Sequence, residues 1–124
     1  MSDSISRGGH IVLDYTDYSP PVDDDGEWML QVLRDCVRKA GIREVHSHVA
    51  QFDGRESPPG FAAVVLIDES HVSAHCYSES GLLAIDIFTC GENDPGPLAD
   101  KIHSVVVDAV PGLVLSGRGR LDRF

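Results

Sequence analysis

Three apolar, strand-like runs follow one another between residues 61 and 89 with only three- and four-residue polar connections, and this spacing constrains the fold more than any other feature of the chain. Residues 61–67 are continuously apolar, as in a central strand covered on both faces. Residues 71–77 and 82–89 follow, separated by Ser78-Glu79-Ser80-Gly81, a hairpin signal. Connections this short leave no room for a crossover helix, so the runs are expected to be antiparallel neighbours.

The flanking segments complete a two-layer pattern. Residues 9–17 carry Ile11, Val12, Leu13 and Tyr15 and read as a first strand; residues 1–8 are polar and are expected to fray. Residues 18–26, rich in Pro and Asp, break regular structure. From Glu27, the residues Trp28, Met29, Val32, Leu33, Cys36, Val37 and Ala40 recur at the three-and-four spacing of one helix face, with Gly41 as the stop. Residues 43–52 read as a strand and residues 53–60 as a loop. After a second breaker at residues 92–97, Leu98, Ile102, Val105, Val106 and Ala109 mark another helix face, ended by Pro111-Gly112. A short strand at residues 113–116 precedes an Arg-rich tail, residues 118–124. The order β-α-β-β-β-β-α-β predicts an α+β domain: a mainly antiparallel sheet with two helices on one face. The apolar central strand also asks for cover on the other face, for which a second copy, packed sheet to sheet, is the simplest source.

The same hairpin region concentrates reactive side chains inside apparent core. Polar groups in such a setting are costly unless satisfied or used, which marks a candidate site. If residues 71–77 are extended, His71, Ser73, His75 and Tyr77 share one face, and Val72, Ala74 and Cys76 the other. The second set reads as core, so Cys76 is structural, as is Cys36 within its helix stripe.

The motifs Glu69-Ser70-His71, then His75, then Thr89-Cys90-Gly91, resemble in order and spacing the processing and active-site region of the S-adenosylmethionine decarboxylases, short bacterial and archaeal class. The resemblance extends outward to Gly9-His10 and to the last helix and strand. It implies a proenzyme forming a single domain, cut by its own Ser70 into chains 1–69 and 70–124, the second beginning with a pyruvoyl group that serves, in place of pyridoxal phosphate or a metal, as the Schiff-base electron sink for decarboxylation. It implies His75 as the processing acid or base, a role suited to imidazole near neutrality, and Cys90 as the donor returning a proton to the α-carbon. Glu79 matches the acid that holds the ribose hydroxyls, Glu69 is the flanking acid, and Tyr77 or Phe52 is available to stack on adenine. The product would be the aminopropyl donor of spermidine and polyamine synthesis. Family members commonly carry a serine at the position of Ala62, where this chain has no hydroxyl.

Composition narrows the partners. A formal net charge of −10 and a pI near 4.8 exclude nucleic acid and anionic membrane, and favour a cationic small molecule. Three cysteines without a Cys-x-x-Cys pair give no disulfide framework and suit the reducing cytoplasm. No apolar run approaches a membrane span, and residues 1–9 hold no signal-type segment. His46 and His48 share a strand face and with His71 invite a metal site, but the ligand spacing of structural zinc is missing, and none is expected. His10, His103 and the tail arginines read as surface or core. Three functions stay open: decarboxylation of S-adenosylmethionine, the same pyruvoyl chemistry on ornithine or arginine, and an uncleaved binding relative without activity. A homodimer of cleaved protomers is expected for the active forms.

Overall fold

A computed structural model describes residues 8–91 and 93–124. The chain runs β1 (Gly8–Thr16), α1 (Asp25–Lys39), β2 (Glu44–Phe52), β3 (Gly60–Ile67), β4 (Ser70–Tyr77), β5 (Leu82–Cys90), α2 (Pro95–Ala109) and β6 (Val114–Arg123). The six strands form one sheet in the order β2-β3-β4-β5-β1-β6, every pair antiparallel. Both helices lie on one face, α1 over β2 and β3, α2 over β1 and β5, and they touch each other. The expected two-layer α+β architecture is therefore present.

Alternation along each strand separates the two sheet faces. Ile11, Leu13 and Tyr15 of β1, Phe61, Ala63, Val65 and Ile67 of β3, Val72, Ala74 and Cys76 of β4, and Leu83, Ile85 and Ile87 of β5 point toward the helices and are buried. Met29, Leu33 and Val37 of α1 and Leu98, Ile102 and Val106 of α2 close the core from the other side. Leu33 is fully buried, so Leu33→Ala leaves a cavity costing about 2–5 kcal/mol. The opposite face carries His10, Val12, His46, His48, Val64, Leu66, His71, Ser73, His75, Asp86 and Phe88 and is uncovered in the single chain.

Several boundaries differ from expectation. Strand β3 is not central but next to the β2 edge, and on its open face Leu66 is 41% exposed; its apolar run is covered by helices on one side only. The Arg-rich tail is strand rather than coil: Arg118 and Arg120 of β6 reach toward α2, pairing with Asp100 at 2.7 Å and Asp94 at 2.8 Å. Helix α1 starts at Asp25, inside the acidic breaker, because that carboxylate accepts a 2.9 Å hydrogen bond from the Tyr18 hydroxyl and is thereby buried. Helix α2 also starts inside its breaker, with Asp94 accepting from the Gly96 N–H at 3.0 Å and Pro95 in the first turn. Gly8, expected to fray, opens β1 opposite Cys90; residues 1–7, and Glu92 of the second breaker, lie outside the described residues.

Candidate active site

Strands β3 and β4 are joined by the two-residue turn Asp68-Glu69, and the next residue, Ser70, opens β4 opposite Ile67. The far end of β5 lies alongside, and there the Ser70 hydroxyl accepts a hydrogen bond from the backbone N–H of Cys90 at 2.9 Å. Thr89, buried, donates its hydroxyl to the Asn93 carbonyl at 2.6 Å, which folds the chain back after Cys90 and Gly91. Gly91 takes a φ of 70° in that turn. These elements wall a cleft of about 540 Å³ whose lining includes Glu69, Ser70, Cys90 and Gly91. Three of the expected site residues, Glu69, Ser70 and Cys90, are thus brought together.

Sequence reasoning passed over two more residues on this rim. Arg43, between α1 and β2, donates from Nε to Asp68 Oδ1 at 2.8 Å, directly before Glu69. Arg43 carried no signal, since its partner lies 25 residues away. Asp68 could have been found as the neighbour of the expected scissile bond.

His75 is elsewhere. It sits five residues along β4 from Ser70, about 16 Å at the rise of an extended strand. Its side chain points to the open face and is exposed. Ala62 of β3 is its direct cross-strand partner and Ala84 of β5 the other, so the serine commonly found at the Ala62 position would place a hydroxyl beside this imidazole.

The remaining expected residues gather at the opposite end of the sheet. Glu79 is exposed in the β4–β5 turn, which is pinned on two sides, by Ser78 N–H to the Pro59 carbonyl at 3.0 Å and by Tyr18 N–H to the Gly81 carbonyl at 3.0 Å. A shallower cleft of about 290 Å³ there is lined by Pro58, Pro59, Tyr77, Glu79, Ser80 and Leu82. Phe52 and Tyr77 face the same side in one row, with Gly60 between them on β3. That glycine is itself buried, so the two aromatic residues flank it without an open strip between them.

On the open face between these ends, His10 Nε2 meets Asp86 Oδ1 at 3.1 Å, and the His10 ring packs edge to face against His71 and Phe88, which are tilted against each other. Burial, followed by the neighbouring His10, holds the His71 pKa below the ordinary histidine value. Thus His10 is a paired side chain, not a free surface one. His103 likewise has a partner, the Tyr15 hydroxyl at 2.8 Å. His46 and His48 do share the open face, but Leu66 stands between His46 and His71, and no cluster of three or more His, Cys, Asp or Glu side chains able to hold a metal forms among the described residues. No helix among them is long and apolar enough to cross a membrane.

The chain and its fold have counterparts in known proteins. The family model described as S-adenosylmethionine decarboxylase matches residues 9–108. The chain belongs to the S-adenosylmethionine decarboxylase family. A relative from Thermodesulfovibrio yellowstonii, an S-adenosylmethionine decarboxylase proenzyme, is 32% identical over 113 residues, 90% of this chain and 81% of its own length. Another proenzyme of that name, from Thermotoga petrophila, is 31% identical over 120 residues, 96% of this chain and 89% of its own. The solved adenosylmethionine decarboxylase of Aquifex aeolicus superposes with a TM-score of 0.72 at 27% identity, covering 95% of this chain and 91% of that one. Family membership favours the first of the three functions left open by the sequence, and a decarboxylase over the other classes.

Proposed function

We propose that the chain is an S-adenosylmethionine decarboxylase proenzyme that cuts itself between Glu69 and Ser70, leaving chain 1–69 and a chain 70–124 headed by a pyruvoyl group. The observation that carries this reading is the placement of Ser70: its hydroxyl is held by the Cys90 N–H on the wall of a cleft, one bond beyond an exposed two-residue turn. A hydroxyl so fixed has lost the rotational freedom that would otherwise oppose attack on the preceding carbonyl. In the first step the Ser70 oxygen bonds to the Glu69 carbonyl carbon and the carbon–nitrogen bond breaks; the hydroxyl proton ends on the freed amine. Loss of the Ser70 α-proton then expels the Glu69 carboxylate. The resulting enamine takes a proton at its terminal carbon to become an imine, and water hydrolyses this, releasing ammonia and leaving a ketone.

The residues around Ser70 fit such a group, since the Cys90 N–H already donates to this position and the cleft beside it has room for an amino-acid head. Once formed, the ketone supplies a partner for the substrate amine and a sink for the electrons of the departing carboxylate. Cys90 supplies the proton that returns to the α-carbon, its thiol lying on the open-face side of β5. Glu79 takes the ribose hydroxyls, and Phe52 or Tyr77 stacks on the adenine. The acidic chain favours a cationic sulfonium substrate.

The working unit in this reading is a homodimer packed sheet to sheet. Ser70 and Cys90 stand at one end of the sheet, Glu79 and Tyr77 at the other, and His75 between, so one chain alone separates the reacting end from the nucleoside end by about 23 Å at strand rise. A two-fold axis between the sheets and across the strands reverses the second copy. It sets the far-end residues of that copy over the end of the sheet where Ser70 and Cys90 stand, on the open face that bears the Cys90 thiol. The reaction belongs to the cytoplasm, a setting that the three free thiols support.

Intact-mass measurement of the purified protein tests self-cleavage. Two fragments joining at Glu69 and Ser70, the second blocked at its N-terminus, are expected, with Ser70→Ala whole and inactive. Release of labelled carbon dioxide from S-adenosylmethionine, with ornithine and arginine inert, tests the substrate. A wild-type chain that stays whole under native conditions sinks the reading.

A further inference from the structure

We propose that Arg43 and Asp68 form a clamp that holds the Glu69–Ser70 peptide bond in the geometry from which the chain cuts itself, both serving as positioning residues. The proposal rests on the self-cleavage reading above and adds what prepares the bond for attack. Asp68 is one of three non-glycine residues with positive φ among the described residues, at 42°, and it is the first residue of the two-residue turn. Side chains with a Cβ avoid this region, Asp and Asn less than others. Strain of this kind persists only where the surroundings impose it, and it gathers at functional sites. Here the two-residue hairpin requires it at this position, and the Arg43 guanidinium fixes the residue that takes it, donating from Nε to Asp68 Oδ1 at 2.8 Å from a segment anchored between α1 and β2.

The scissile bond is therefore gripped on both sides. Before it, Arg43 holds Asp68; after it, the Cys90 N–H holds the Ser70 hydroxyl at 2.9 Å. The ion pair is mostly exposed, Arg43 at 75% and Asp68 at 53%, so it adds little to global stability. An exposed pair with little structural worth, set one residue ahead of the bond to be cut, acts on that bond. The exchange of amide for ester at Ser70 normally favours the amide. A clamp that holds the turn on one side of the bond while the Ser70 oxygen is fixed on the other raises the ester fraction from which elimination proceeds.

The test is the time course of cleavage of freshly translated full-length chain, followed by intact mass. The variants are Arg43→Ala, Arg43→Lys, Asp68→Asn and the Arg43→Ala/Asp68→Asn pair. Asn keeps the tolerance for positive φ while removing the charge. Each of Arg43→Ala and Asp68→Asn is expected to slow cleavage about 3- to 5-fold, the pair to be no slower than the slower single change, and Arg43→Lys to recover part of the rate. Hydroxylamine, which cleaves esters in preference to amides, is expected to cut a smaller fraction of each slowed variant, a readout that a loss of general stability does not mimic. Melting temperatures of the variants in a Ser70→Ala background are expected to match the parent. Wild-type cleavage rates in Arg43→Ala, multiplying effects in the pair, or an unchanged hydroxylamine-sensitive fraction overturn the clamp while self-cleavage stands. A wild-type chain that never cleaves removes the parent reading and this one with it.

Discussion

Gly60 joins β3 to β4 at their last pair, and its replacement by alanine has a cost that follows from the backbone around it. Its φ is 150°, a region L side chains rarely adopt, and a Cβ there would fall inside the carbonyl oxygen of Cys76, 2.8 Å from the carbonyl carbon and 3.4 Å from the Tyr77 Cα. All three atoms are backbone, so no side chain can swing aside. The strain alone costs about 1–3 kcal/mol. Relieving the overlap requires β3 and β4 to part at their last pair, Gly60 with Tyr77, and forfeits about 1 kcal/mol per broken hydrogen bond. The Gly60 carbonyl also accepts from Gln51 Nε2 at 3.1 Å, so that contact is disturbed too. The sum for Gly60→Ala is about 3–5 kcal/mol.

Gly112 supplies the control. It has a φ of 84° but nothing within 4 Å of the place a methyl group would take, so Gly112→Ala carries the conformational cost without the overlap, about 1–2 kcal/mol. Urea unfolding of both variants, in a Ser70→Ala background so that every chain is whole, isolates the difference. Gly60→Ala is expected to lose at least about 2 kcal/mol more than Gly112→Ala. Equal losses would refute the argument, because they would mean that the close approach of β3 to the Cys76 carbonyl is absent in solution.

Burial raises the Tyr15 pKa to about 12 against an ordinary 10.0, partly offset by Arg118. The neutral phenol is thus favoured by folding, and stability present below pH 10 is lost as pH rises toward 12, about 2–3 kcal/mol over that interval; Tyr15→Phe is expected to remove this alkaline loss in unfolding experiments. The shift of His71 runs the other way, its pKa lowered from 6.5 by burial first and then by His10. The unfolded chain takes up this proton first, so stability is full above the ordinary pKa and falls as pH drops through it toward the folded value; His71→Leu is expected to flatten that acid limb, seen as a smaller fall in melting temperature from pH 7.5 to 5.5.

Alternation and helix spacing made most of the architecture legible. Burial of Val72, Ala74 and Cys76, with His71, Ser73 and His75 turned outward, follows the period of a strand and needs nothing beyond residue order. The helix starts and the last strand were missed where a distant partner decides the outcome. The acids before α1 read as a breaker because Tyr18 and Gln51, which satisfy the buried Asp25, are not visible as partners in the sequence. The alternating glycines and arginines of β6 look like a tail until Asp94 and Asp100 of α2 stand opposite. Asp94-Pro95 was readable as a helix start, and the glycines and prolines around it outweighed that signal.

The site shows where linear spacing misleads. Ser70 and His75 are five residues apart, and on a helix such neighbours would lie within a turn and a half of each other. On β4 the same interval has two effects: it carries the imidazole about 16 Å along the strand, and, being odd, it turns that ring to the other face of the sheet from Ser70. The expected motif is therefore split in two along one hairpin, one part ending at Ser70 and the other running from His75 to Glu79. The sheet is open, with β2 and β6 as its edges, and does not fold back on itself to unite them. If one catalytic centre uses both halves, a second copy has to bring them together, and in the proposed dimer the open face with His46, His48, Leu66 and Phe88 is where that copy would pack.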